Sequence, residues 1–437
     1  MLSPIVIAII IFFITYIFIA TEKVDKTIAS IVGACSIVLF HCAPYEELLE
    51  TVDLNVIFLL VGMMLIVNIL SLTGVFEWIA ITLAQKSKGN GVTIFILFML
   101  ATAFLSAFLD NVTTIILMAP ITILITQLLE IPTVPILISE AIFSNIGGTA
   151  TLVGDPPNIL IASRTGLEFN EFLFHLGPAV IIIFTIVIAF VLFFIRKKLI
   201  VSEQLKERVM SAKPNKAIVN PFILKRALIV FSVVILGFFM SRALDVDPGI
   251  IALMGGFIMA FVCKVDVHEA LMKVEWNTIL FFIGLFILIG ALEINGIFEV
   301  MGDYMLEMTE GNLLYTALAV LWFSAIFSSI VDNIPLVIAM IPLINSITIV
   351  FAKQMGIEGD PESIRLMVTE PLFWSLALGA CLGGNGSLIG ASANVVVAQV
   401  ARRNGYKLSF MDFTKEGFPI MLGSLLISTG YIYFRYF

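Results

Sequence analysis

The sequence predicts an all-α polytopic membrane protein built from two inverted-topology repeats. About 10 transmembrane helices, two re-entrant hairpins and two broken helices are expected. Three observations predict this class. Hydrophobic residues make up 60% of the 437 and charged residues 13%, with a mean hydropathy of +1.09; a soluble domain carries about 25% charged residues. Apolar runs of roughly 20 residues, the length that crosses about 30 Å of hydrocarbon, recur along the whole chain. Finally, one set of motifs returns at a fixed offset.

That set begins at Asn55-Val56-Ile57-Phe58, followed by Gly62, Gly74, Phe76 and Glu77. It returns as Asn277-Thr278-Ile279-Leu280, Gly284, Gly296, Phe298 and Glu299, each 222 positions later. Gly33 and Gly255 keep the offset, as do Asp110-Asn111 and Asp332-Asn333. Gly147 to Asn158 returns as Gly383 to Asn394 at an offset of 236, so the second copy has gained 14 residues, placed in the polar stretch 353–370. Internal repetition of this kind marks a duplicated unit. The first repeat is 1–197, with spans at about 2–20, 26–43, 54–77, 93–109 with 111–129, 134–162 and 174–195. A basic linker, 198–217, leads to the second repeat, 218–437, with spans at about 223–242, 248–264, 276–293, 313–331 with 333–352, 370–400 and 416–434. The N-terminal apolar run lacks the basic stretch of a signal peptide and has a counterpart in the second copy, so it is read as a retained helix.

If each Asp-Asn pair tips a re-entrant hairpin, each unit crosses five times and the second copy lies upside down. Charge supports this. With both termini outside, 19 of the 24 Lys and Arg fall on the cytoplasmic side, including the loop 196–226, and five fall outside. Lys23 and Lys26 belong to the cytoplasmic set in this reading. The asymmetry follows the positive-inside rule and implies a multi-pass protein of the plasma (inner) membrane, with one hairpin entering from each face.

Irregular backbone at membrane depth is tolerated only where protein or water covers it. The Gly- and Pro-rich stretch 147–158 and the Gly- and Ser-rich stretch 383–394 therefore break their helices mid-membrane. Broken helices at matching positions of inverted repeats point to a transport site; glycines that only let helices pack closely are the alternative. Asp110 and Asp332 place carboxylates inside the bilayer, a functional hypothesis by default. With Asn111, Thr113, Thr114, Asn333 and free carbonyls they form an oxygen-rich set suited to a small cation. Helix capping by each Asp is the plainer reading and is compatible with ion binding. Asp155 has Ala391 at its counterpart position, so it is either a substrate or proton group or a turn residue before Pro156-Pro157.

Other chemistry is not indicated. Cys35, Cys42, Cys263 and Cys381 are scattered and suggest packing rather than disulfides or zinc, and His41, His175 and His268 fall near span ends. No enzyme site, no organic cofactor, no nucleic-acid partner and no Walker motif are expected; H+ or Na+ is the coupling ion, and membrane lipid surrounds the chain.

FLDNVTTIILMAPITI and SNIGGTATLVGDPPNILIAS, with DNIPLVIAMIPL and GGNGSLIGASAN in the second copy, resemble the signature of the ion transporter superfamily, in its ArsB/NhaD permease group. That group contains arsenite/antimonite exporters, sodium–proton antiporters and the melanosomal P protein. The resemblance implies a scaffold and a mobile transport domain. It places one ion site at Asp110, Asn111, Thr113, Gly147, Gly148 and Thr149 and a second at Asp332, Asn333, Gly384 and Asn385, with Na+ at the two Asp-Asn pairs. Substrate would contact Asn145, Thr151, Asp155, Asn158, Ser387 and Asn394. Dicarboxylate carriers of the superfamily have Ser where this chain has Asp, so a dianion is disfavoured here. Ion-coupled efflux of arsenite or antimonite, a small inorganic substrate, is the first expectation. Sodium–proton antiport is the alternative, and a channel or the membrane subunit of an ATPase-driven pump is the alternative of another class. A homodimer is the superfamily expectation.

Overall fold

A computed structural model describes residues 3–21 and 23–437; Leu2, at the start of the first expected span, lies outside them. All regular structure among the described residues is helical. Ten helical segments there are long and apolar enough to cross a membrane. Three of these ten are hairpin legs, while Lys26–Leu39 and Pro248–Cys263 are shorter apolar helices of 14 and 16 residues.

The element boundaries repeat the motif offset. Lys26–Leu39, Leu54–Ser71, Val75–Lys86 and Gly91–Phe108 start 222 positions before Pro248–Cys263, Trp276–Ile294, Ile297–Met308 and Leu313–Ser328. The span read as 54–77 runs past a turn into a separate helix, Val75–Lys86. The span read as 276–293 matches Trp276–Ile294, and the stretch after it, read as a loop, carries the helix Ile297–Met308. The turn is set by Gly74 (φ +75°) and Gly296 (φ +72°), left-handed positions that a residue with a Cβ adopts only with strain. The helix after Gly296 meets the following hairpin leg at 115°.

The two copies are interleaved. Lys26–Leu39 packs on Trp276–Ile294 of the other copy, and Pro248–Cys263 packs on Leu54–Ser71. At both crossings a glycine lets the backbones meet: a Cβ on Gly62 would lie 2.2 Å from the Ala252 carbonyl carbon, and one on Gly284 would lie 2.7 Å from that of Ser30. Such close approach is what small residues supply where lipid gives no hydrophobic drive for helix association.

The hairpins are similarly exchanged. Asn111–Leu129 of the first packs against Ser392–Arg403, the far half of the second broken helix. Asn333–Met355 of the second packs against Pro156–Thr165, the far half of the first. The hairpins and broken helices form the centre: the segment Pro361–Gly386 is largely buried, whereas Pro4–Thr21 is largely exposed. Peripheral helices expose Phe13, Phe261 and Phe434, the apolar surface expected of a chain whose solvent is lipid.

Candidate functional site

The Asp-Asn tips and the two helix breaks meet at the centre, and local sequence explains how each is held. Leu109 and Asp110 interrupt the first hairpin. Asp110 is then the N-cap of Asn111–Leu129, accepting from the Thr113 amide at 2.8 Å and the Thr113 hydroxyl at 2.5 Å. This is the capping interaction that satisfies first-turn amides. Asp332 occupies the equivalent place but makes no cap. The position three residues on is Pro335, which has neither an N–H nor a hydroxyl. Its Oδ2 instead accepts from Lys26 Nζ at 2.9 Å and Ser392 Oγ at 2.8 Å, while Oδ1 is buried without a partner.

The breaks are tied by asparagines. Asn158 Nδ2 donates to the carbonyls of Thr151 at 2.9 Å, Thr149 at 3.2 Å and Gly148 at 3.4 Å. Asn394 Nδ2 donates to those of Gly384 and Ser387 at 2.8 and 2.9 Å. Both residues are fully buried, with their amide donors spent on the backbone that the helix break frees. The hydroxyl of Thr151 reaches the Ala107 carbonyl, that of Ser387 the Ser329 carbonyl at 2.5 Å, and that of Thr149 the Asn145 carbonyl at 2.8 Å. Gly147 lies against the hairpin, where a Cβ would meet the Ala103 carbonyl oxygen at 2.2 Å, and Gly148 lies against Gly154.

Asp155 joins the two tips. It accepts from Asn111 Nδ2 at 3.1 Å and, across the pseudo-symmetry axis, from Asn333 Nδ2 at 3.3 and 3.5 Å. Ala391, its counterpart, has no acceptor to offer, so one carboxylate serves both asparagines. Asn145 joins the breaks: Oδ1 accepts from Asn111 at 3.1 Å, and Nδ2 donates to Asn385 Oδ1 at 2.9 Å and Asn394 Oδ1 at 3.1 Å. Asn385 Nδ2 is buried without a partner.

A cavity of about 390 Å³ reaches this centre from one face. Asp25, Lys26, Asp110, Asn111, Asp155, Glu275, Thr278, Asp332, Asn333 and Ser392 are among its walls. Five acids and one lysine line it, a field that draws in cations. A second cavity, about 330 Å³, sits on the opposite face between Asn55, Ser163, Glu168, Arg242 and Asp245 and stops at Leu59 and Leu152. Here Arg164 lies 3.6 Å from Asp53 Oδ2, which also accepts from the Ser163 hydroxyl at 2.6 Å, while Oδ1 caps Leu54–Ser71 through the Asn55 and Val56 amides. Among the described residues no three His, Cys, Asp or Glu are grouped to hold a metal ion; a cation at the centre would draw on amide, hydroxyl and carbonyl oxygens as well as carboxylates.

Three residues at or near the centre escaped the sequence reading. Lys26 was read only as a cytoplasmic charge at the start of its span; it reaches the second hairpin tip. Glu140 is fully buried in the first broken helix, accepting from Thr122 at 2.8 Å and Thr102 at 3.4 Å, with Oε2 unpartnered. A carboxyl inside an apolar run was the signal. Cys381, read as a packing residue, is the offset counterpart of Asn145 and donates to Asn158 Oδ1 at 3.6 Å, as Asn145 does to Asn394.

The model of the CitMHS family, described as a citrate transporter, matches residues 16–369. An uncharacterized transporter of Mycobacterium tuberculosis is 40% identical over 436 residues, covering 99% of both chains. The human P protein is 31% identical over 499 residues, covering 95% of this chain and 58% of that protein. The solved structure of the Alcanivorax borkumensis YdaH transporter, whose topology is described as unusual, superposes with a TM-score of 0.59 at 12% identity. It covers 99% of this chain and 98% of that one, which shows a shared fold. The chain is a multi-pass membrane transporter and belongs to the CitMHS citrate transporter family, in the ion transporter superfamily.

Proposed function

We propose that the chain is a secondary active transporter in which the central carboxylates Asp110 and Asp155 bind and release a small cation, H+ or Na+, and that its reaction is sodium–proton antiport. The observation that supports this reading most directly is Asp155, a fully buried carboxylate held by the amides of both hairpin tips. An ionised carboxylate inside a membrane is costly without a counter-cation. A group that exchanges one cation for another there, while the tips shift, is the step an antiporter needs. The basic loops, 196–226 included, face the cytoplasm and both termini face outside, so the 390 Å³ cavity opens inward. The protein resides in the plasma (inner) membrane.

Ion-coupled efflux of arsenous or antimonous acid stood first on sequence and is the second reading here. An uncharged oxyacid suits an acidic centre lined with amides, and the cavity has room for one. It ranks second because exchange of cations needs only groups already at the site, whereas the soft chemistry of As(III) finds one thiol, Cys381, held against Asn158 and Asp155. Bare citrate fits poorly. Each carboxylate–carboxylate contact near 4 Å costs about 4 kcal/mol at an effective dielectric of 20, and three aspartates oppose one lysine.

The test is flux in proteoliposomes under an imposed pH gradient, comparing sodium, arsenite and citrate. Sodium–proton exchange without arsenite movement supports the first reading; arsenite movement without sodium exchange replaces it with the second. Citrate flux alone, or flux of any of these independent of a coupling gradient, refutes both. A gradient-independent flux with unitary currents identifies a channel.

A further inference from the structure

We infer that the ammonium group of Lys26 is a tethered cation that fills the ion position at Asp332, so that of two symmetry-related positions only the one at Asp110 and Asp155 is open to a mobile ion. The inference rests on the cation-binding reading above and deepens it.

The two tips are copies of one sequence unit, yet their carboxylates are satisfied differently. Asp110 is held by its own helix through Thr113. Asp332 has no such option, because Pro335 stands at the matching position, and it turns outward to the cavity. There Lys26 Nζ lies 2.9 Å from Asp332 Oδ2 and 3.0 Å from Ser392 Oγ, and Ser392 Oγ lies 2.8 Å from the same carboxylate oxygen. The ammonium thus sits among a hairpin-tip carboxylate and a hydroxyl at the start of the far half of a broken helix, the oxygen types that would hold Na+. It also lies 5.0 Å from the centre of the Phe281 ring, a further cation contact. The offset counterpart of Lys26 is Pro248, so no lysine serves the first site. The acid beside Asp110 in the cavity wall is Glu275.

The lysine is attached to a different part of the fold from the carboxylate it neutralises. Lys26 begins a helix packed on Trp276–Ile294, outside the central bundle, whereas Asp332 and Ser392 belong to the second hairpin and the second broken helix. A soluble ion leaves with its site; this one stays behind. The ion pair is therefore both an occupant and a latch, and it must separate whenever the central bundle shifts against the outer helices. With Lys26 38% exposed and Asp332 11% exposed, the pair lies at the wet edge of the site, where water can solvate the ammonium when the pair separates.

The experiment counts bound sodium on purified full-length protein in detergent, by equilibrium binding of radioactive sodium, and needs no transport. Lys26→Gln removes the tethered charge. Pro335→Thr supplies Asp332 with the cap that Asp110 has and draws it off the lysine while leaving both side chains of the pair in place. Lys26→Gln is expected to bind one sodium more per chain than wild type, and Lys26→Gln/Asp332→Asn is expected to return to the wild-type count. Pro335→Thr is expected to weaken protection of Lys26 from amine-reactive acylation, read by peptide mass. An unchanged sodium count in Lys26→Gln, or an extra sodium that survives Asp332→Asn, overturns the inference. Should Lys26→Gln fail to fold, unchanged acylation in Pro335→Thr overturns it independently. Loss of cation coupling in wild-type vesicles would remove the proposed function and leave these counts standing, so the two failures are separable.

Discussion

Replacing Asp155 by Asn tests whether one carboxylate couples the two tips. The substitution keeps the shape and, with the amide oxygen in the place of Oδ1, keeps both short contacts, from Asn111 at 3.1 Å and from Asn333 at 3.3 Å. What changes is charge. Hydrogen bonds to an ionised acceptor contribute about 1.5–3 kcal/mol and neutral ones about 0.5–1.5 kcal/mol, so two bonds lose about 2–3 kcal/mol together. The new Nδ2 also faces Asn333 Nδ2 across the 3.5 Å contact, donor against donor. At 1.4 kcal/mol per factor of ten, apparent cation affinity should fall by about 30- to 150-fold. The assay is the cation concentration at half-maximal flux in proteoliposomes, with thermal unfolding in detergent as the control. Because the substitution removes a buried charge, the fold should hold and Tm should not fall by more than a few degrees. An affinity within about threefold of wild type, with normal folding, would refute the idea that Asp155 links tip geometry to ion binding.

Three further outcomes are expected. Gly147→Ala sets a Cβ 2.2 Å from the Ala103 carbonyl oxygen, and forcing hairpin and broken helix apart costs about 1–3 kcal/mol, visible as a lower Tm and loss of flux; wild-type values in both would remove the close-packing argument. Asn158→Ala frees the carbonyls of Gly148, Thr149 and Thr151, each worth about 1 kcal/mol. Protease accessibility of the 149–155 stretch should rise, and an unchanged digestion pattern would show that the asparagine does not hold the break. Cys381→Ser keeps a hydrogen-bond donor beside Asn158 and Asp155, so sodium flux should stay within about threefold; abolished arsenite flux in the same variant would instead favour the metalloid reading.

Much of the architecture is legible because duplication writes it twice. A motif at one offset of 222 positions located the hairpin tips, and both breaks were visible as Gly-rich interruptions of apolar runs. The helices after Gly74 and Gly296 were hidden for different reasons: the start of Val75–Lys86 is apolar enough to read as a continuation of the span before it, while Ile297–Met308 carries Glu299, Asp303 and Glu307 and reads as a loop. The glycines were noticed as repeat markers, and their left-handed backbone is what ends the span. Asp155 was noticed as an oddity, but its two partners are 44 and 178 residues away, and no local pattern encodes that pairing. Lys26 was obscured by a sound rule applied at its margin. The positive-inside rule places basic residues in loops, and it does not see one that begins a helix and points back to a tip 306 residues away.

Asn145 and Cys381 occupy the same place in the two copies, and each donates to the asparagine that ties the opposite break. That relation has an ancestral meaning. Two copies of one unit start with the same side chain at both places, and each can then change without the other. One place now holds a carboxamide that also engages Asn111 and Asn385, and the other holds a thiol that lies against Asn158 and Asp155. The seam between the halves thus preserves the record of a molecule that became asymmetric only after its gene did.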